Sequence, residues 1–403
     1  MRRAVPVTVV ALLVFGAEAR AQSAGDALRN LLFEPTEGGG AFSRNGVEAL
    51  YGLLLSETTT FPITSSAGGF TWTFDSALNV PRRRTQSFGP MFADRPFTIG
   101  EGRINFALTY QHTAFDSVAG QPLDKLEQGV SYNFGESQYK TLSSVAVSMD
   151  RILVCSTVGG PHGLEATFVL PISRVTVSGN SSALNKEIDG TTSTVAASSS
   201  GTSTGLGDVL LRYKQEFLST RLVNAAAGVD FRFPTGSADK LLGTGHFQTK
   251  LQLIASATAG QFSPHVNVGY TFGGSGMTFG EDTRFVGSFG DPELLSREPS
   301  PEFDYTFGAD VAATPLITIA GDVIGRTLQD SARLSYFDSG SGGPDRLVFF
   351  KVDPGSVTLL LGAVGTKINV AGRWLLTATV LFPLNDNGIK ARVTPVIGFE
   401  LTY

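Results

Sequence analysis

Lys390-Ala391-Arg392-Val393-Thr394-Pro395-Val396-Ile397-Gly398-Phe399-Glu400-Leu401-Thr402-Tyr403 alternates between two chemical faces and ends on an aromatic ring. Ala391, Val393, Pro395, Ile397, Phe399, Leu401 and Tyr403 share one face. Lys390, Arg392, Thr394, Val396, Gly398, Glu400 and Thr402 share the other. A β-strand with this period sets one face on an apolar medium and the other on a polar one. The pattern recurs upstream, and the chain opens with the features of an export signal. Lipid outside and water inside is then the expected arrangement, that of an all-β, transmembrane, antiparallel up-and-down barrel of the outer membrane.

Arg2 and Arg3 supply a positive start, Ala4 to Phe15 an apolar run, and Ala19-Arg20-Ala21 a small-x-small cleavage site, so the mature chain is expected to begin at Gln22. No other run approaches the roughly twenty apolar residues of a membrane-spanning helix, so a membrane crossing must use strands. The 47 glycines, 29 phenylalanines and 17% charged residues suit strands and turns, and a net charge of −5 argues against nucleic acid as a partner. The single cysteine, Cys155, excludes an internal disulfide and a Cys-rich metal site, and reads as a small residue within a strand.

Strand periodicity is clear from Arg103 onward. Ile104, Phe106, Leu108 and Tyr110 alternate with Asn105, Ala107, Thr109 and Gln111. Leu142 to Ser156 is less regular, because Asp150 and Arg151 sit side by side. Leu164 to Ser178 alternates with Ala166, Phe168, Leu170 and Ile172 apolar, and its phase then moves to Val175 and Val177, as a β-bulge would cause. The central strands are the most regular, with Val209, Leu211 and Tyr213 against Arg212 and Lys214, and Val229, Phe231 and Phe233 against Asp230 and Arg232. Roughly twelve strands are expected, or fourteen if the N-terminal region adds a hairpin; both counts are even, as single-chain bacterial barrels require.

Short links near Ser219-Thr220, Gly260-Gln261, Thr314 and Ala371-Gly372 alternate with long ones at 116–140, 179–204, 235–245, 273–301 and 327–353. Short periplasmic turns and long extracellular loops produce that asymmetry, and both termini then face the periplasm. The Ser/Thr/Gly-rich stretch Thr191 to Thr204 reads as a solvated loop. Residues 22–102 do not follow the barrel pattern. A short helix at Asn45–Leu55 and a strand at Gly68–Phe74 are expected there, followed by Arg82, Arg83 and Arg84. Two readings stand open for this segment: a plug whose arginines meet a polar lumen, or a periplasmic extension. The barrel proper is expected over 103–403.

Catalytic and metal-binding patterns are weak. There is no Gly-x-Ser-x-Gly elbow, and Gly38-Gly39-Gly40 lacks the Lys-Ser/Thr of a phosphate loop. No metal-ligand spacing occurs and no cofactor is implied. His246 and Asp230 on neighbouring strands are the nearest approach to a base with an orienting carboxylate. The polar set is better read together. Arg212, Lys214, Asp230, Arg232, His246, Lys250, His265, Asp304, Asp322, Arg326 and Arg392 are expected to line the lumen, with Arg103, Arg373, Asp208, Asp310 and Glu400. A charge on the lipid face near the midplane costs several kcal/mol, which forces this inward aim. Cross-strand pairing and tuning of a narrow path are both open to them.

Gly205-Leu206-Gly207-Asp208-Val209-Leu210-Leu211-Arg212-Tyr213-Lys214 resembles the Gly-x-Gly-Asp strand of a bacterial outer-membrane family labelled the meta-pathway of phenol degradation. The likeness continues through Asp230-Phe231-Arg232-Phe233-Pro234-Thr235-Gly236, Leu242-Gly243-Thr244-Gly245 and Ser263–Tyr270. Phe88-Gly89-Pro90-Met91-Phe92-Ala93 and Thr98-Ile99-Gly100 resemble it upstream. The resemblance implies a monomeric porin-like barrel of the Gram-negative envelope, distantly similar to channels for fatty acids and aromatic hydrocarbons. The expected function is passive uptake of small hydrophobic or aromatic molecules. The alternative is a closed structural barrel whose loops bind partners. Expected partners are outer-membrane lipid, such a solute, and the barrel-assembly machinery reading the strand that ends at Tyr403.

Overall fold

A computed structural model describes residues 22–33, 44–63, 69–75, 80–83, 85–132, 137–280, 293–340 and 346–403. The expected signal peptide, Gly38–Gly40, Arg84 and the side chains of Arg82 and Arg83 lie outside the described residues. Twelve antiparallel strands close a ring. They are β1 (Ile104–Phe115), β2 (Ser137–Gly159), β3 (Leu164–Lys186), β4 (Val209–Ser219), β5 (Val223–Phe233) and β6 (Gln248–Ala257), then β7 (Phe262–Phe272), β8 (Glu302–Thr314), β9 (Ile317–Asp338), β10 (Leu347–Ala371), β11 (Trp374–Pro383) and β12 (Thr394–Thr402). The seam is β12 on β1, from Val396 opposite Gln111 to Thr402 opposite Asn105. Two further strands, Leu126–Tyr132 and Thr192–Leu206, extend the sheet beyond the ring, and the hairpin Trp72–Asp75/Val80–Arg83 stays separate from it. Closure leaves no strand edge in hydrocarbon, where an unpaired backbone group costs several kcal/mol.

The faces follow the alternation. In β12, Pro395, Ile397 and Phe399 are exposed, while Thr394, Val396, Gly398, Glu400 and Thr402 are buried. The strand starts at Thr394 because Ile389–Lys390 pairs instead with Ser117–Val118, and the Arg392 amide donates to the Asp116 carboxylate at 2.9 Å. The apolar belt runs from Ile104 and Tyr403 at the short-turn end to a polar row in which His112, Asp150 and Arg174 stand opposite one another. Asp150 accepts from the Tyr110 hydroxyl at 2.7 Å, and His112 Nδ1 lies 2.8 Å from it. Ile104 to His112 is a span of the length a tilted membrane strand needs, about nine to eleven residues.

Above that row three expectations change. The stretches 179–204 and 327–353 are hairpins and not loops: β3 pairs with Thr192–Leu206, and β9 pairs with β10 as far as Asp338 opposite Val348. The Ser/Thr-rich stretch is therefore a strand. No bulge occurs near Val175, since the β2–β3 register runs unbroken from Gln138/Lys186 to Gly159/Glu165. The phase holds and the medium changes. Within the membrane the inward face of β3 is Glu165 and Thr167 and its outward face Phe168; above it the inward residues are Val175 and Val177, and the outward ones Arg174 and Thr176. Water now lies outside and an apolar core inside.

That core is completed by two helices that are not members of the ring, α1 (Ala24–Phe33) and α2 (Arg44–Thr59). Ser23 caps α1, accepting from the Asp26 amide at 3.1 Å and donating to its carboxylate at 2.7 Å. Ala24, Ala27, Leu28 and Leu31 form a buried stripe at helical spacing. With Leu50, Leu53 and Leu54 of α2 they pack on Val147, Val175, Val177, Leu334, Phe350 and Val352. The Gln22 carbonyl accepts from the Thr202 amide at 3.1 Å, so this end of the chain lies at the long-hairpin side. Tyr403 lies on the short-turn side, where both termini were expected, whereas Gln22, the expected mature start, lies at the opposite rim. The described residues begin again at Arg44 for α2, close to the expected helix, whereas α1 had no counterpart in the sequence reading.

The reversal has a measurable consequence. Phe168→Arg, on the lipid face, is expected to lower stability by about 2–4 kcal/mol. Asn180→Arg, on the same face of β3 but above the membrane, should change it by less than about 0.5 kcal/mol. Urea unfolding from lipid vesicles measures both.

Candidate functional site

The inward charges below the apolar core form rows across neighbouring strands. Arg212 on β4 holds Asp230 on β5 with both edges of its guanidinium, Nε to Oδ1 at 2.7 Å and Nη2 to Oδ2 at 2.6 Å. Lys250 on β6 reaches Asp304 on β8 at 2.5 Å, and His265 on β7 reaches Asp322 on β9 at 2.7 Å. Both pairs pass over a strand, and a glycine permits each crossing. A Cβ on Gly269 would lie 2.5 Å from Lys250 Cε; one on Gly308 would lie 2.6 Å from the Asp322 carboxylate and 2.1 Å from the Gly321 carbonyl. Arg326 on β9 holds Glu302 twice at 2.9 Å and Glu57 of α2 at 3.0 Å. Charge-assisted, two-pronged pairs of this kind are the strong ones, and their desolvation makes a missing partner expensive.

Inward side chains of the wall also hold described residues between Thr58 and Ile99. Asp322 accepts from the Met91 and Phe92 amides at 3.2 and 2.9 Å, and Thr318 from the Phe88 amide at 2.9 Å. Asp310 accepts from the Ser87 hydroxyl, and Arg212 donates to Asp94. Lys214 donates to the Arg95 and Phe97 carbonyls at 3.1 Å and pairs with Glu165, which accepts from the Ile99 amide at 2.9 Å. Arg151 donates to the Thr58 carbonyl, and Glu400 accepts from the Gly69 amide at 2.9 Å. Phe88, Met91, Ala93 and Ile99 are fully buried within this frame. A chain without regular structure has unsatisfied amides and carbonyls, and the charged wall supplies their partners.

Arg212, Lys214, Asp230, Arg232, Lys250, His265, Asp304, Asp322 and Arg326 all lie inside, with Asp208, Asp310 and Glu400. His246 and Arg392 do not. His246 is exposed in the link before β6, which starts at Gln248 after the turn at Gly243–Gly245, and Arg392 is exposed in the turn before β12. Arg103 is only half-buried beside the short turns, and Arg373 is exposed there, stacked 5.9 Å above the Tyr403 ring. His246 and Asp230 therefore do not meet. His265 stands between Asp322 and Asp310, and Ser87 bonds Asp310 and not the imidazole, so no hydroxyl is set against a base here. Among the described residues no three His, Cys, Asp or Glu side chains gather as metal ligands. Glu165, Arg151, Glu302 and Glu57 were missed. Glu165 was legible, since it alternates with Ala166; Glu57 lies on a helix that carries no barrel signal.

A cavity of about 100 Å³ remains between this segment and the β4–β9 wall. Phe61, Pro62, Ile63, Phe92, Leu210 and Ile324 give it apolar surface, and Arg212, Asp230, Arg232, Lys250, Asp304 and Arg326 give it charge. The sequence pattern of the family described as "Putative MetA-pathway of phenol degradation" matches residues 127–332, just over half of the chain and the part that builds this wall. The chain belongs to that family. The matched stretch of this chain runs from β2 into β9 and contains Arg212, Asp230, Lys250, His265 and Asp322. No curated protein matches the chain. Among solved structures it is similar to an outer membrane channel from Pseudomonas putida F1, with 13% identity, a TM-score of 0.42 and coverage of 75% of this chain and 96% of that one. It is also similar to the CymD monoaromatic hydrocarbon channel (10%, 0.36, 75% and 88%) and to the Ralstonia pickettii toluene transporter TbuX (9%, 0.35, 75% and 90%).

Two outcomes are expected for this family member. Gly308→Ala should destabilise it by about 1–3 kcal/mol, as overpacking does, and by more than Gly269→Ala, whose nearest neighbour is a flexible lysine end and not backbone; urea midpoints in vesicles decide. Lys390, at the long-hairpin rim, donates to Asn385 at 2.6 Å, and burial pushes its ammonium down to about 8 from an ordinary 10.5. The folded form then binds fewer protons than the unfolded one between those values, so stability should rise with pH across that window and the burial cost is full below it. The urea midpoint of the wild type should climb from pH 7.5 to 10, and that of Lys390→Met should climb less.

Proposed function

We propose that this barrel is an outer-membrane channel for passive uptake of small hydrophobic or aromatic molecules, with residues 22–102 as its plug. The observation that carries this reading is the cavity beside the N-terminal segment: the lumen is neither a solid core nor a wide pore. The segment is held by side-chain hydrogen bonds and ion pairs, contacts that exchange for water more readily than a strand ladder does. Aromatic and aliphatic surface from Phe61, Ile63, Phe92 and Leu210 faces the cavity and suits an apolar solute. The family description, with its reference to phenol degradation, agrees with an aromatic one. No coupling machinery is invoked, so movement runs down a gradient, and no catalytic role is assigned. Export by a cleaved signal ending at Ala21, and recognition of the β12 strand up to Tyr403 by the assembly machinery, belong to the same reading.

Liposome swelling and single-channel conductance on the refolded mature chain test it. The intact chain should pass little, deletion of residues 22–100 should raise permeability sharply, and Arg326→Ala, which frees Glu57, should fall between. If all three stay closed to ions and to aromatic solutes, the channel reading fails.

A further inference from the structure

Arg212 and Arg326 each hold two carboxylates. Arg151 on β2 and Arg232 on β5 hold none within 4.0 Å among the described residues. Arg151 is 3% exposed. Its Nη2 donates to the Thr58 carbonyl and lies 3.4 Å from Met149 Sδ, while its Nε has no acceptor. Arg232 donates to Gln248 Oε1 at 3.2 Å. A guanidinium carries five N–H donors, so both groups retain most of their capacity.

The two arginines line one pocket of about 20 Å³ together with Asp208. Asp208 is already engaged: its carboxylate accepts from the Gly236 amide at 3.0 Å and from the Thr244 amide and hydroxyl at 2.7 Å. Two arginines against one aspartate leave this pocket with a formal charge of +1. Ile63, Leu153, Val169 and Leu242 give the rest of its lining apolar surface, beside the uncharged polar Thr58, Thr59 and Ser173. Ile63, Leu210 and Arg232 also line the larger cavity, so the two spaces adjoin. Like charges removed from water are costly without a counter-ion, and a planar guanidinium matches a carboxylate with two parallel bonds.

We propose that Arg151 and Arg232 bind the carboxylate of a small organic acid whose apolar body lies against Ile63 and Leu210. This rests on the channel reading and gives its solute a charge: an apolar or aromatic molecule bearing one carboxylate. The arginine that lines both spaces hands the anion from the larger cavity to the smaller.

Calorimetric titration of benzoate into the folded mature chain tests this. One-to-one binding is expected, at least tenfold weaker in Arg232→Gln, and uncharged benzyl alcohol should not compete. Arg151→Gln should weaken binding similarly; because Arg151 also holds Thr58, Arg232→Gln carries the test, with folding checked by circular dichroism. The exposed substitution His246→Ala should leave binding unchanged. Absent binding to the folded wild type, unchanged binding in both arginine variants, or displacement by equimolar chloride overturns the proposal. Phenol uptake by liposomes separates the two readings. Phenol uptake without benzoate binding overturns the anion site and leaves the channel. Benzoate binding in a barrel closed to both solutes supports the site and removes the channel.

Discussion

A charge cannot face hydrocarbon cheaply, and it cannot face an empty narrow lumen cheaply either. Arg212, Asp230, Lys250, Asp304, His265 and Asp322 satisfy both constraints by pairing across strands, and Asp322 and Arg212 also bond the Met91 and Phe92 amides and the Asp94 carboxylate of the segment. The wall and the segment depend on each other. Without the segment, Lys214 and Glu165 would lack the carbonyl and amide partners they now hold; without the wall, the Met91 and Phe92 amides would be buried with no acceptor. Gly269 and Gly308 belong to the same constraint, because pairs that skip a strand need a position with no side chain between them.

The upper half obeys a different rule. There the helices bring apolar surface, and β3 turns valines inward and polar residues outward without changing register. Stability in that region comes from burial of Leu28, Leu31, Leu53 and Leu54, as in a water-soluble domain. One sheet thus serves two interiors, a charged one at membrane depth and an oily one above.

This division explains what could be read in the sequence. Strands with lipid on one side were legible, because Phe168 or Ile397 alternating with polar neighbours leaves a period of two. The inward set was legible for the same reason, and the closed twelve-strand ring follows from it. The hairpin arms were not: Thr192–Leu206 is polar on both faces, so nothing distinguishes it from a loop. The change at Val175 looked like a phase slip because a linear reading assumes one medium on each side throughout. His246 was misplaced because β6 begins only at Gln248, and polar residues on either side of a strand end look alike. Contacts of the segment, such as Glu57 with Arg326, join residues far apart in the chain and leave no local signature. Arginines that hold no carboxylate among the described residues, such as Arg151 and Arg232, stand out only once their neighbours are known.

The route of residues 22–102 bears on how the molecule is made. At one end α1 rests on Thr192–Leu206 beyond the membrane; at the other, Gly102 bonds Gly159 beside the short turns. The described parts of that segment thus touch both rims of the ring. If the segment is a plug and the chain arrives from the short-turn side, α1 has to reach the far side. Threading it through a finished cylinder would strip every buried charge of its partner on the way. Sealing β12 to β1 as the last act, around a segment already in place, avoids that. On the plug reading, then, the segment serves as the mandrel on which the wall is wound, and the seam between β12 and β1 is the natural place for the cylinder to close.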